Sequence, residues 1–115
     1  MNRYALLIPG DEDVWDRSTD EDKRRIHTRH LEFQAALAAR GHTVLLTSEL
    51  AHSRDATVVR RGSVTQGPFA ESVEQLAGFY LVETADRADL LEVVAMLTEV
   101  ESAIEVRAFG SNDAD

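Results

Sequence analysis

The sequence predicts an α+β domain. Short apolar or β-branched runs alternate with two longer segments whose apolar residues recur every three to four positions. Near the middle of the chain, a pair of brief β-prone runs around a glycine places a hairpin between two similar halves.

Tyr4 to Ile8 is an apolar run halted by Pro9-Gly10, which reads as a first, buried strand. Asp11-Glu12-Asp13 then forms an acidic loop at its carboxyl end. Ser18 and Glu21 have the spacing of a capping box, so a helix is expected from about Thr19. Ile26, His30, Phe33 and Leu37 recur on one face of that helix, and Gly41 suits the left-handed position just past a helix end. Thr43 to Thr47, β-branched and apolar, is a second strand.

Beyond a polar loop, Ala56–Arg61 and Ser63–Gln66 flank Gly62 as a hairpin expected to decorate the sheet edge. Gly78 to Glu83 is a further strand, rich in aromatic and branched residues. Asp86, with Asp89 three residues later, marks a second N-cap, and Leu90, Leu91, Val94, Ala95 and Leu97 supply the stripe behind it. From Ile104 to Phe109 the chain alternates, with Ile104, Val106 and Ala108 on one face and Glu105, Arg107 and Phe109 on the other. The order β-α-β, hairpin, β-α-β is that of a ferredoxin-like sandwich. Residues 1–109 read as a single domain, and residues 110–115 as an acidic tail expected to be disordered.

Two helices cover only one face of such a sheet. The other carries Glu105, Arg107, Phe109 and one side of the Phe79-Tyr80 strand, a mixture of aromatics and charges suited to a C₂ homodimer. Composition excludes several other functions. A chain of 115 residues with 43% apolar content supports one two-layer core. A formal net charge of -9 argues against nucleic-acid binding, which needs clustered Lys and Arg. The absence of cysteine excludes disulfides, thiolate metal sites and cysteine nucleophiles. No apolar run approaches the length of a membrane span, so a cytoplasmic protein is expected. Without a nucleophile elbow or a glycine-rich phosphate loop, nucleophilic hydrolysis and nucleotide binding are unsupported, and no cofactor is expected.

The segment Thr65-Gln66-Gly67-Pro68-Phe69-Ala70-Glu71-Ser72-Val73-Glu74-Gln75-Leu76-Ala77-Gly78-Phe79-Tyr80-Leu81 closely resembles the signature of the YCII-related family, in its DGPF branch, written DGPFAETKEQLGGFY. Other blocks follow in the same order. Gly10-Asp11-Glu12-Asp13 with Trp15 resembles the opening GDED-x-W, Ala56 to Arg60 resembles the ATTVRV strand, and Ile104 to Arg107 resembles the closing VEVRP. The resemblance implies a dimeric α+β barrel, related in fold to small lactone isomerases and dehydrochlorinases. It also implies a possible sigma-factor partner, since DGPF-branch proteins often accompany alternative sigma factors. Gln66 stands where the signature has Asp, Val73 where it has Lys, and Ala77 where it has one of two glycines. An amide neither titrates nor binds hard cations well, so any chemistry of that Asp is not carried over; a turn-forming role is the alternative.

His30 is the sharpest candidate for chemistry. It sits on an apolar stripe where Leu would serve, and an imidazole at a pocket wall exchanges protons near neutral pH. It also lies eleven residues before Gly41, the spacing of the His proposed in the resembling family to act with an Asp. The ordinary alternative is a structural histidine with one satisfied nitrogen. Asp11, at the carboxyl end of the first strand, is the foremost acid partner, with Glu12, Asp13 and Glu71 as rivals. Phe69, Glu71 and Phe33 are expected to line a ligand pocket, although Glu71 also suits a turn. His27 and His30 form an H-x-x-H pair without an adjacent Glu or third ligand, so no metal is assigned.

Two readings of function follow. One is a cofactor-free lyase or isomerase using a His/acid pair on a small molecule. The other is a non-catalytic ligand-binding or regulatory dimer, such as a sigma-factor-associated module, its ancestral pocket vestigial or used only for sensing.

Overall fold

The computed structural model describes residues 1–113. Strand β1 (Asn2–Asp11) buries Tyr4, Leu6 and Ile8 on one face. Pro9-Gly10 does not end it. The strand continues opposite β5 (Glu74–Thr84) across a bulge, because the pairing steps from Ile8 with Gly78 to Pro9 with Leu76. A bulge already lacks a ladder hydrogen bond, so proline, which has no N–H, is tolerated there.

The expected acidic loop is instead a short helix, α1 (Glu12–Arg17). The Asp11 carboxylate caps it, accepting from the N–H groups of Asp13 and Val14 at 3.1 Å each. Helix α2 (Asp20–Ala39) is capped one residue later than the Ser18 box predicts. Thr19 accepts from the Asp22 N–H at 3.0 Å, and the Asp22 carboxylate accepts from the Thr19 N–H at 3.4 Å. Ser18 is unavailable for this because its hydroxyl donates to the Val14 carbonyl at 2.7 Å. Gly41 ends the helix with φ 83°, as its position predicts.

Strands β2 (Thr43–Glu49), β5, β1 and β6 (Glu105–Ala108) form one antiparallel sheet in the order β2-β5-β1-β6. This is the ferredoxin-like arrangement. The hairpin strands β3 (Thr57–Arg60) and β4 (Ser63–Gln66) pair only with each other, as a separate two-stranded sheet rather than a decoration of the main edge. Asp86 caps α3 (Arg87–Val94), accepting from the Asp89 N–H at 3.0 Å. Its buried residues are Leu90, Val93 and Val94, followed by Leu97, whereas Ala95 is exposed. The predicted stripe drifted because Ala95–Glu99 winds as a 3₁₀ turn, where three residues rather than 3.6 complete a turn.

One face of the sheet packs on the helices. Leu6 pairs with Tyr80 on one side and Val106 on the other, and Tyr4 pairs with Val82, which in turn pairs with Val44. Phe33 and Leu37 from α2 and the α3 residues complete this core. The other face carries Ala5, Leu7, Phe79 and Leu81, all half-buried, beside the exposed Leu46. Arg3–Glu83 and Arg107–Glu105 pairs, at 2.9 and 2.8 Å, lie on the same side.

Gly78 has a packing reason. A β-carbon there would lie 3.0 Å from the Ser48 carbonyl oxygen of β2, and backbone cannot yield cheaply. At the C-terminus, Asn112 brackets Arg3, accepting from its N–H at 2.8 Å and donating to its carbonyl at 2.7 Å. Within the segment read as a tail, Asn112 makes these contacts, and the last two residues lie outside the described ones. Among the described residues no helix is long and apolar enough to cross a membrane.

Candidate functional site

The helical spacing that puts Phe33 and Leu37 into the core also turns His30 toward the sheet, where Tyr80 of β5 faces it. The Tyr80 hydroxyl lies 2.7 Å from His30 Nδ1, and the two rings stack with centroids 5.9 Å apart. Gln34, one helical turn on, donates to the same hydroxyl at 3.4 Å, and Phe33 meets the Tyr80 ring edge-on at 5.1 Å. On the other side of the imidazole, Glu101 Oε1 lies 3.8 Å from Nε2. The His30 and Glu101 side chains are 18% and 14% exposed, so the pair is shielded yet reachable.

Burial is the main cause raising the Tyr80 pKa above 10.0, with the Glu101 and Glu49 charges adding to it and donors from Gln34 and Thr47 opposing it. Tyr80 therefore stays a neutral phenol at physiological pH. With Nδ1 engaged by that phenol, Nε2 is the nitrogen that faces Glu101. When Nδ1 donates to the phenol oxygen, Nε2 carries the free lone pair; in the other tautomer, Nε2–H points as a donor toward Glu101.

The Glu101 segment is fixed from two directions. Arg29 donates to the Met96 carbonyl at 3.0 Å and pairs with Glu99 at 3.0 Å. Ser102 donates to Glu74 of the signature at 2.7 Å.

Asp11 is spent on capping α1 and makes no hydrogen bond or ion pair with His30; the carboxylate facing His30 is Glu101. Phe33 is fully buried and belongs to the core, so it offers no surface to a ligand. Phe69 is 75% exposed, with the Arg60 guanidinium 5.5 Å from its ring centre. The sequence reading passed over Tyr80 and Glu101. The available signal was that the end of the second helical segment must pack near the His30 turn of the first, bringing its acids there.

Glu71 lines a separate open cleft of about 460 Å³, together with Ser53, Arg54, Gln66, Gly67 and Gln75. Three motif blocks build it. Glu12 accepts from the Ser53 N–H at 2.6 Å and from the Ser53 hydroxyl, and that hydroxyl bond is the main cause lowering the Glu12 pKa below 4.5. Gln66 donates to the Arg54 carbonyl at 3.4 Å, and the Gly67 N–H donates to the Ala56 carbonyl at 2.7 Å. Gly67 has φ 107°, a conformation that favours glycine. Gln75 closes the signature loop by donating to the carbonyls of Ala70 and Ser72 at 3.0 and 3.2 Å. His30 is not among the residues lining this cleft.

A second polar chain, unmarked in the sequence, surrounds His42. Its Nδ1 lies 2.7 Å from the Thr84 hydroxyl and its Nε2 lies 2.7 Å from Asp89, which Arg40 also contacts. The Thr-His-Asp order looks like a nucleophile relay, but Thr84 is 2% exposed and out of reach of substrate. Its role is to tie β5, α3 and the end of α2 together. Among the described residues, no group of three or more histidines and acids is disposed to hold a metal ion.

Compared with known families, residues 2–109 match the YCII-related domain. An uncharacterised protein of Rhizobium meliloti (strain 1021) is 33% identical over 97 residues, a match covering 77% of this chain and 74% of that one.

Proposed function

Because this chain belongs to the YCII-related family, we propose that it is a small cofactor-free acid/base protein, with His30 moving a proton on a small cyclic or unsaturated molecule. The observation that supports this reading is the Glu101–His30–Tyr80 line. A carbon-bound proton passes to Nε2, Glu101 stabilises the imidazolium that forms, and the same nitrogen returns the proton to a neighbouring atom. The 3.8 Å gap between Nε2 and Glu101 exceeds a hydrogen bond and leaves the nitrogen open to a reacting atom.

Incubating small enol lactones and unsaturated acids with the protein in D₂O tests this. Wild type is expected to wash deuterium into an activated C–H position, with the rate falling at least ~100-fold in His30→Leu, the scale of a lost general base. Equal wash-in by both proteins would remove His30 from the chemistry.

A non-catalytic reading draws on one specific observation: Gln66, in place of the signature Asp, lines a cleft apart from His30. A ligand-binding or sigma-factor-associated module would show ligand-induced thermal shifts without wash-in.

The proposal includes a homodimer through the uncovered sheet face. Leu7 and Phe79 pair near its centre, and burying them against a second copy removes apolar surface from water without a new fold element. Wild type is expected to sediment as a dimer at micromolar concentration, and Leu7→Glu as a monomer, since a buried carboxylate there has no partner. A monomeric wild type would refute the interface.

A further inference from the structure

We infer that the cleft at the signature turn binds a small zwitterion, a free α-amino acid or a molecule with the same paired charges. Its anionic group would meet Arg54 and its cationic group Glu71. Arg54 and Glu71, both exposed, line the cleft, and among the described residues neither side chain makes a hydrogen bond or ion pair. The Arg54 charge helps to lower the Glu12 pKa, but among the described residues no hydrogen bond or ion pair joins the two; Glu12 accepts from Ser53 and lies 3.5 Å from the His52 ring. Apart from the Pro68 ring, the rest of the lining is amide, hydroxyl and backbone, which disfavours a wholly apolar occupant.

The walls are already held in place. Ser53 is latched by Glu12, Gln66 by the Arg54 carbonyl, and Gln75 by two carbonyls of its own loop, so binding requires little ordering. A simple anion would pair with Arg54 alone, and a simple cation with Glu71 alone. A ligand with both charges satisfies both at once. The volume of about 460 Å³ lies in the range of small-molecule sites and leaves room for a side chain beyond the charged groups.

The inference is independent of proton transfer at His30, and its test separates the two. The common L-amino acids are titrated into ¹⁵N-labelled protein, with acetate and methylammonium as the two half-ligands. At least one amino acid is expected to shift the amide resonances of Ser53, Arg54, Gly67 and Ser72. The half-ligands, and the variants Arg54→Gln and Glu71→Gln, are each expected to bind roughly tenfold more weakly, the scale of one lost charge-assisted contact. His30→Leu is expected to bind as wild type does. The inference is overturned if no amino acid shifts these resonances at millimolar concentration. Acetate or methylammonium binding as tightly as the best amino acid would overturn it too, as would wild-type affinity in both charge variants.

Discussion

Phe33→Ala is expected to destabilise the protein by about 3–5 kcal/mol, the range for deleting a fully buried aromatic side chain. Phe33 is 0% exposed, lies between α2 and the sheet, and meets the Tyr80 ring edge-on at 5.1 Å. The ring's removal forfeits its transfer energy and leaves a cavity that the sheet cannot collapse to fill. A single domain of this size is stable by only about 5–15 kcal/mol, so the loss is a large share of the total. Urea denaturation at neutral pH measures it directly. A ligand-lining role for Phe33 predicts the opposite result, with stability almost unchanged, and a loss below about 1 kcal/mol would restore that role.

His42→Ala is expected to cost about 3 kcal/mol, through the cavity left by a buried ring and the buried polar partners it abandons. Thr84 would keep the Asp86 N–H as a donor, but Asp89 would lose the bond that chiefly holds its carboxylate in the charged form. The acid limb of stability then changes in a defined way. The Asp89 pKa lies below its ordinary 3.8, first through the His42 hydrogen bond and then through the Arg40 charge. As pH falls, the unfolded chain takes up this proton before the folded one does. The stabilisation is therefore complete above about pH 3.8 and is lost as pH drops through the lower folded value. Glu12 behaves in the same direction through Ser53, in wild type and variant alike. Below pH 4, stability should therefore fall less steeply in His42→Ala than in wild type. Parallel acid limbs in the two proteins would show that His42 does not hold Asp89.

Local rules of the chain set most of the fold. The apolar run at Tyr4–Ile8, the strand at Gly78–Glu83, the 3.6-residue stripe of α2, the positive-φ glycine at Gly41 and the Asp86 cap follow from interactions within a few residues, and each was legible in the sequence. The errors were local competitions decided by hydrogen bonds that a sequence leaves open. Ser18 closed α1 rather than opening α2, Asp11 became a cap, and a bulge absorbed Pro9.

The candidate site divides along the same line. His30 was legible because a polar residue interrupted an otherwise apolar stripe. Its partners were not, because Tyr80 is 50 residues away and Glu101 approaches only after α3 gives way to a 3₁₀ turn. The cleft likewise needs Glu12, Ser53 and Gln66 together, which no local pattern links. By itself the sequence determined most of the strands and the two long helices and that His30 turns toward the sheet, since backbone geometry and burial periodicity act along the chain. Only the tertiary structure decided which carboxylate faces that histidine and which charges lie open in the cleft, since those contacts depend on how distant segments pack across the sheet.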